Sequence, residues 1–533
     1  MTHPLPSVLR VLQTVETRRS VKSTNFAPVT IATSPPENRQ KGAHGRSKVL
    51  IIVRGASWAK DHLLLVKALV ETGRYEVEAG IGISGPTAAS FKRQCAEIGV
   101  RWFDLNPTQT TQPAEVSALR RHRIRGLLKR VPGLRGILLI VHNILLFQRD
   151  RRAAARLIQD HASDLMVTSG YTGFEAAYLL TEAARRGTRI VHLDSYGVLT
   201  SSWRAVGREH GMGSAVVVST FARRILAALF PRWTYRFDDG RRMFYETPDR
   251  CLAALLCGIM PKYPFTAGHG PISAFTAVNE YSRRTLEASG IEPGRIHLVG
   301  RLQDDATFAA VNKARNNRAA SLAALGLNPD RPVILCSSSP LLLHRSMTLE
   351  QETEYHQSML SELAAVEGAQ VVLSMHPVHQ NAGYIDVLAA RYGVKVFTAP
   401  GINELLPLST LFVDCESTVS TMAAACGIPM VMVFLEKQAF PNGEPPPNRI
   451  EAEFAIFVAS LKPPDRFIMD GLAFAYGWRQ AAIAARHCLA DRGYYDDLVR
   501  GQRKSATLWA TAFDGKAMER VLALIDTLAV QSP

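Results

Sequence analysis

The chain has no apolar run approaching the roughly 20 residues that a bilayer-spanning helix needs. Its longest apolar stretch, residues 137–147, is interrupted by His142 and Asn143. A helical membrane span is therefore not expected. Cysteine is scarce, with 7 in 533 residues, and scattered singly as Cys95, Cys251, Cys257, Cys336, Cys415, Cys426 and Cys488. No pair has CxxC spacing, so neither a zinc centre nor a disulfide framework is indicated, and no metal site is expected. Cys336 directly follows Val333-Ile334-Leu335, and a cysteine in such a run reads as a buried free thiol, which suits a reducing compartment. No repeat of solenoid period is present. The signatures of base readers (zinc-finger spacing, an RNP motif, a basic heptad) are also missing, which argues against nucleic acid as a partner. Proline and polar residues interrupt the first 47 positions early, so no signal-peptide core is expected there. Segment 19–47, rich in Ser, Thr, Pro, Asn, Arg and Lys, reads as part of a disordered basic tail over 1–47.

Positive charge is what the sequence has in excess. Lys and Arg number 62 against 47 acids, for a net charge of +15. Such an excess calls for anionic partners. An anionic membrane surface and an anionic glycan or small molecule rank above nucleic acid. The basic residues concentrate around the 137–147 run: Arg120, Arg121, Arg123, Arg125, Lys129, Arg130 and Arg135 before it, Arg149, Arg151 and Arg152 after it. Cations beside an apolar helix face suit the plane of an anionic membrane. A core helix with a solvated basic end fits the same pattern. The expectation is a cytoplasmic protein with peripheral attachment through 120–152 at the inner face of the membrane.

Length alone points to two or more domains. The alternation of elements points to α/β. Residues 48–53 are a short β-branched apolar run, followed by a turn at 54–57 and a helical pattern over 61–73, the opening unit of a parallel sheet. Strand candidates follow at 75–83, 101–105, 164–168, 189–193, 215–219 and 234–237. A second series begins at 332–336 and continues at 370–374, 394–397, 411–414 and 430–434. The expected layout is a tail over 1–47 and a first Rossmann-like, acceptor-side domain over 48–270. A crossing over 271–330, a second Rossmann-like, donor-side domain over 331–475, and helices over 476–533 that pack back complete it. Ligands bind at the carboxyl ends of such sheets. Arg54, Lys60, His62 and Tyr171 are then candidate contacts on the acceptor side.

Three motifs carry candidate chemistry. Strand 411–414 leads through Cys415-Glu416-Ser417-Thr418 into an Ala-rich helix. Ser417 and Thr418 can cap that helix, and its free N–H groups can hold a phosphate. A plain Ser/Thr N-cap has the same sequence. Strand 370–374 ends at Met375-His376-Pro377, where a histidine at a strand's carboxyl end can neutralise a leaving phosphate. Ser338 and Ser339, in the loop after 332–336, join Pro377, Ser417 and Thr418 as candidate nucleotide contacts. Phe237-Asp238-Asp239-Gly240 offers paired carboxylates, one of which can serve as a general base. It also reads as an Asp-Asp-Gly surface turn. Asp194, at the end of the 189–193 strand, is a competing carboxylate.

The order of these motifs, an acidic pair with Gly in the first half and then His-Pro and a Ser/Thr pair in the second, resembles the bacterial sialyltransferases and polysialyltransferases of surface polysaccharide synthesis. The resemblance covers roughly 230–435 and is one of pattern. It implies a GT-B arrangement of two facing Rossmann-like domains with a central cleft. It also implies an inverting, metal-independent glycosyl transfer from CMP-sialic acid, as co-substrate rather than cofactor, to a surface glycan. Carried over, Asp238 is the base, His376 assists departure of CMP, and Ser417 and Thr418 bind its phosphate. The chain departs from that pattern after Gly240, where Arg241-Arg242-Met243-Phe244 is bulkier and more basic. Two other readings share the two-domain layout: a UDP-sugar 2-epimerase-like or CDP-polyol transferase-like enzyme, and a non-catalytic protein that binds anionic glycan or membrane.

Overall fold

The computed structural model describes residues 46–55, 58–105, 132–169, 174–194, 216–218, 220–236, 242–261, 264–265, 271–338, 348–376, 379, 382–414, 419–434 and 471–530. Two wholly parallel sheets organise them. The first contains β1 (Ser47–Val53), β2 (Tyr75–Ile81), β3 (Arg101–Asp104), β4 (Leu165–Thr168), β5 (Arg189–His192), β8 (Ala274–Ala277) and β9 (Ile296–Leu298), in the spatial order β3-β2-β1-β4-β5-β8-β9. The second contains β10 (Val333–Ser337), β11 (Gln370–Ser374), β12 (Lys395–Phe397), β13 (Leu411–Asp414), β14 (Met430–Phe434) and β15 (Leu472–Tyr476), ordered β12-β11-β10-β13-β14-β15. Each starts in the middle, runs to one edge, then returns and runs to the other. That is the doubly wound Rossmann order, and two such sheets in one chain are the GT-B layout. β1 and β10 are central and buried on both faces, which is why they are continuous apolar runs rather than alternating ones.

Helices cover both sheets. Flanking the first are α1 (Ala59–Glu71), α2 (Gly85–Glu97), α3 (Pro132–Asp160), α4 (Phe174–Arg185), α5 (Phe221–Leu229), α6 (Pro248–Leu256) and α7 (Glu280–Ala288). The link to the second sheet is α8 (Leu302–Ala324), bent at Asn317, whose φ of −140° is non-helical. α9 (Leu349–Ala364), α10 (Gly383–Tyr392), α11 (Ile402–Leu405) and α12 (Val419–Cys426) belong to the second sheet. α13 (Gly477–Ala490), α14 (Arg492–Trp509) and α15 (Ala517–Val530) follow. α13 packs on β14 and β15, α14 lies between α12 and α7, and α15 lies against α1, β4 and β5. Cys95, Cys251, Cys336 and Cys488 are buried free thiols.

Several expectations are corrected. The segment read as a crossing over 271–330 supplies β8 and β9, which extend the first sheet, so α8 alone makes the passage. Of the strand expected at 215–219, the described residues 216–218 make an isolated antiparallel bridge between Val217 and Met243. The strand expected at 234–237 is β6 (Thr234–Arg236), which pairs antiparallel with β7 (Arg242–Phe244) in a separate two-stranded sheet. Residues 1–45, the greater part of the expected tail, lie outside the described residues, and Ser47 already begins β1.

The start of α8 is tightly set. Gly300 has φ of +93°, and a side chain there would meet the Ala512 carbonyl and the Ala517 Cβ at 3.0 Å. The Asp305 carboxylate accepts from the backbone N–H groups of Ala517 and Met518, both at 2.9 Å, and so caps α15. At the other end of α8, Arg318 donates to the Leu408 carbonyl at 3.1 Å. One helix is therefore fastened to both halves of the chain.

Candidate functional site

In a doubly wound sheet the loops diverge at the strand from which the chain winds both ways, and that divergence leaves a crevice at the carboxyl ends. In the second sheet the point lies between β10 and β13. Register pairs Cys336 with Val413, so Ser337 and Asp414 are neighbours at the strand ends. The Ser337 hydroxyl donates to Asp414 Oδ1 at 2.5 Å, and the Asp414 side chain is enclosed. The next residue, Ser338, is fully buried and turns toward β11: its hydroxyl accepts from the His376 backbone N–H at 2.7 Å, and its own N–H donates to the Ser374 carbonyl at 3.2 Å. Three strand ends are thus tied by Ser337, Ser338, Ser374, His376 and Asp414. Of these, Ser337 and His376 are half-buried and the other three are enclosed.

Behind His376 lies a buried polar chain. The His376 carbonyl accepts from the His379 N–H at 2.8 Å. The His379 ring nitrogen Nε2 is 3.4 Å from Glu352 Oε2, both side chains being almost wholly enclosed. Tyr384 donates its phenolic proton to the same carboxylate oxygen at 3.3 Å, and its oxygen lies 3.1 Å from His356 Nδ1. Burial, with His379 nearby, pushes the His356 imidazole down to about 3, so it is neutral at ordinary pH. With the phenol proton on Glu352, His356 Nδ1 carries the proton that the Tyr384 oxygen accepts. The chain ties His379, and through its N–H the His376 carbonyl, to α9 and α10.

In the first sheet the corresponding ends present Arg54 after β1, Ser169 after β4 and Asp194 after β5. The Asp194 backbone N–H donates to the Thr276 hydroxyl on β8 at 2.8 Å, which holds this carboxylate at the sheet's end. Lys60 is exposed and Arg54 half-buried. His62, expected to contact an acceptor, is instead fully enclosed. Its Nδ1 donates to the Trp58 carbonyl at 2.8 Å, its Nε2 lies 3.2 Å from the Ser169 hydroxyl, and burial lowers its pKa to about 4. It is a neutral structural histidine. Asp304, in the first turn of α8, is held up to about 6 by burial, with Arg301 opposing and Asp61 and Asp305 adding to the rise.

Of the residues singled out in the sequence, the structure brings Ser338 and His376 together. Ser339, Pro377, Ser417, Thr418, Asp238 and Tyr171 lie outside the described residues. Sequence reasoning assigned no role to Ser337, Asp414, Glu352 or Asp304. An acid closing an apolar strand, as Asp414 does, was the available signal for one of them. Among the described residues no group of three or more His, Cys, Asp or Glu is arranged to hold a metal ion. A cavity of about 770 Å³ opens elsewhere, at the amino ends of β2 and β3, lined by Tyr75, Val77, Ile98 and Arg101 among others. It is remote in topology from the strand ends that carry the polar residues.

No family model matches the chain, and no curated protein does. Solved structures are similar in layout. The UDP-GlcNAc 2-epimerase from Neisseria meningitidis, bound to UDP-GlcNAc, is 11% identical, with 90% of this chain and 100% of that chain covered at a TM-score of 0.46. The wall teichoic acid polymerase TagF is 10% identical, covering 91% of this chain and 89% of that one at 0.45. A glycosyltransferase from Rickettsia africae is 10% identical, covering 92% and 100% at 0.44. The assignment of two Rossmann-type sheets rests on the strand orders given above.

Proposed function

We propose that this chain is a nucleotide-sugar-dependent, glycosyl-handling enzyme of GT-B type, with the nucleotide's phosphates held at the carboxyl ends of β10, β11 and β13. The observation that carries the reading is the convergence of Ser337, Ser338, His376 and Asp414 at the switch point of the second sheet. In this reading His376, protonated, neutralises charge on the departing phosphate. The N-terminus of α12, with Ser417 and Thr418 just before it, adds backbone donors.

For the activated group we place a UDP-sugar or CDP-polyol ahead of CMP-sialic acid. The sialyltransferase-like reading needs Asp238 as base at a first-sheet strand end. The strands on either side of that motif, β6 and β7, form a separate antiparallel pair instead. We therefore assign the proton-accepting role to Asp194, which does sit at a first-sheet strand end. CMP-sialic acid remains the second reading, carried by His376-Pro377 and Ser417-Thr418.

The test is a donor panel with the purified chain: UDP-GlcNAc, a CDP-polyol and CMP-sialic acid, with nucleotide binding followed by calorimetry and nucleotide release by chromatography. One donor should bind and turn over, and His376→Ala should lower turnover by about 100-fold or more. Asp194→Asn should do likewise while leaving nucleotide affinity unchanged. Failure of all three nucleotides to bind would sink the proposal, and an Asp194→Asn variant with full turnover would return the base to Asp238.

A further inference from the structure

The face of the first domain formed by α3, α5 and α6 exposes more large apolar surface than a solvated face retains. On α3, Ile137 is 60% exposed and Leu145 65%, with Leu138 and Val141 also open to solvent. On α5, Phe221 is 79% exposed and Leu229 67%, with Ile225 between them. On α6, Leu256 is 69% exposed, next to Leu255. These are stripes, not scattered residues. Helical periodicity puts Ile137, Leu138, Val141 and Leu145 on one arc, and Phe221, Ile225 and Leu229 on another.

The three helices are neighbours. Ala253 and Ala254 of α6 share a core with Phe147, Ala154 and Ile158 of α3. Asn143 on α3 donates to Asp249 on α6 at 2.8 Å. Cys251 of α6 and Ala227 of α5 belong to a second buried cluster, with Trp233 and Phe244. The sequence pointed only to the basic frame around 137–147; the contributions of α5 and α6 come from this packing.

Cations complete the surface. The arc that carries the apolar side chains of α3 continues along the same helix through Gln148 to Arg152 and Arg156, both exposed. Exposed Arg224 flanks the apolar stripe of α5, and exposed Arg232 follows it. We infer that α3, α5 and α6 form a docking surface for an anionic lipid bilayer, with the apolar side chains entering the interface and the arginines meeting lipid phosphates. No described helix is long and apolar enough to cross a membrane, so attachment through this face is in the plane of the surface. A second copy of the chain fits less well, because a two-fold contact would oppose the same arginines. An anionic glycan would match the charge but leave Phe221, Leu145 and Leu256 without an apolar partner. The inference stands independently of the donor and of any catalysis.

Sedimentation of the full chain with vesicles tests it. Vesicles of phosphatidylethanolamine containing about one third phosphatidylglycerol should carry the protein down at low salt, and phosphatidylcholine vesicles should carry far less. Ile137→Ser with Leu145→Ser and Phe221→Ser should lower the partition coefficient by about 100-fold. Arg152→Ala with Arg156→Ala should lower it by about 20-fold at low ionic strength and much less at high salt. The arginine pair probes the same surface without touching an apolar residue, and circular dichroism confirms that each variant is folded. Three results would overturn the inference: no sedimentation with either vesicle, sedimentation that neither variant weakens, or a wild-type dimer in light scattering that the triple variant converts to monomer.

Discussion

Removing one hydroxyl at the second sheet's switch point should loosen His376. Ser338 is fully enclosed, and its Oγ accepts the His376 backbone N–H at 2.7 Å. In Ser338→Ala the methyl group fills almost the same space, so packing changes little. The N–H of half-buried His376 loses its acceptor. A buried amide left without its partner costs about 1–3 kcal/mol. Because about 1.4 kcal/mol is a factor of ten, local opening at residues 375–376 should become about 5- to 150-fold more frequent. Hydrogen–deuterium exchange read by mass spectrometry on a peptide covering 371–379 measures this directly. Peptides from β1 and β4 in the first sheet serve as the internal reference. Ser338→Thr keeps the hydroxyl and should retain most of the protection. If the turn carries a nucleotide phosphate, Ser338→Ala should also weaken nucleotide binding by a similar factor. Unchanged exchange in Ser338→Ala would refute the view that this hydrogen bond positions His376, whatever the affinity shows.

The remaining predictions concern α8 and two buried titratable groups. Asp305→Ala removes the cap from α15 and should destabilise the first domain by about 1–2 kcal/mol, seen as a lower urea midpoint, with Asp305→Asn intermediate. His62 has a folded pKa of about 4 against 6.5 unfolded, so below pH 6.5 the unfolded chain takes up a proton that the folded chain refuses. Stability should therefore be full above pH 6.5 and fall by up to about 3 kcal/mol on acidification to pH 4; a urea midpoint in His62→Asn as steep in pH as the wild type would count against this. Asp304 has the opposite sign: its folded pKa, raised to about 6 from 3.8, gives a contribution present at low pH and lost as pH rises through that window. Asp304→Asn should match the wild type at pH 4 and exceed it by up to about 3 kcal/mol at pH 8, and equal thermal midpoints at both pH values would show that the carboxyl is not strained.

Much of the architecture was legible in the sequence because central parallel strands are buried on both faces. Residues 48–53, 332–336, 370–374 and 411–414 read as short runs with an apolar, often β-branched centre, and each matches a strand of one of the two sheets to within a residue or so. β8 and β9 were harder. Four and three residues long, between stretches rich in proline and glycine, they carry too little pattern to announce which sheet they join. β6 and β7 show the same limit from the other side. Thr234-Tyr235-Arg236 has strand character, but whether it enters a large sheet or pairs alone depends on the strand lying alongside, here β7.

The sequence by itself determined that the chain is α/β, that it winds two parallel sheets, and that Ser338 and His376 stand at carboxyl ends of strands in the second. These are consequences of local periodicity and of burial on both faces, which each segment carries within itself. Tertiary structure alone decided that Ser338 holds the His376 amide, that Ser337 meets Asp414, and that His62 is enclosed rather than presented. It also decided that α6 shares one buried core with α3 and another with α5. Each of those facts joins residues far apart along the chain, and a hydrogen bond or a shared surface between them exists only once the sheets have fixed which strand ends and which helices are neighbours.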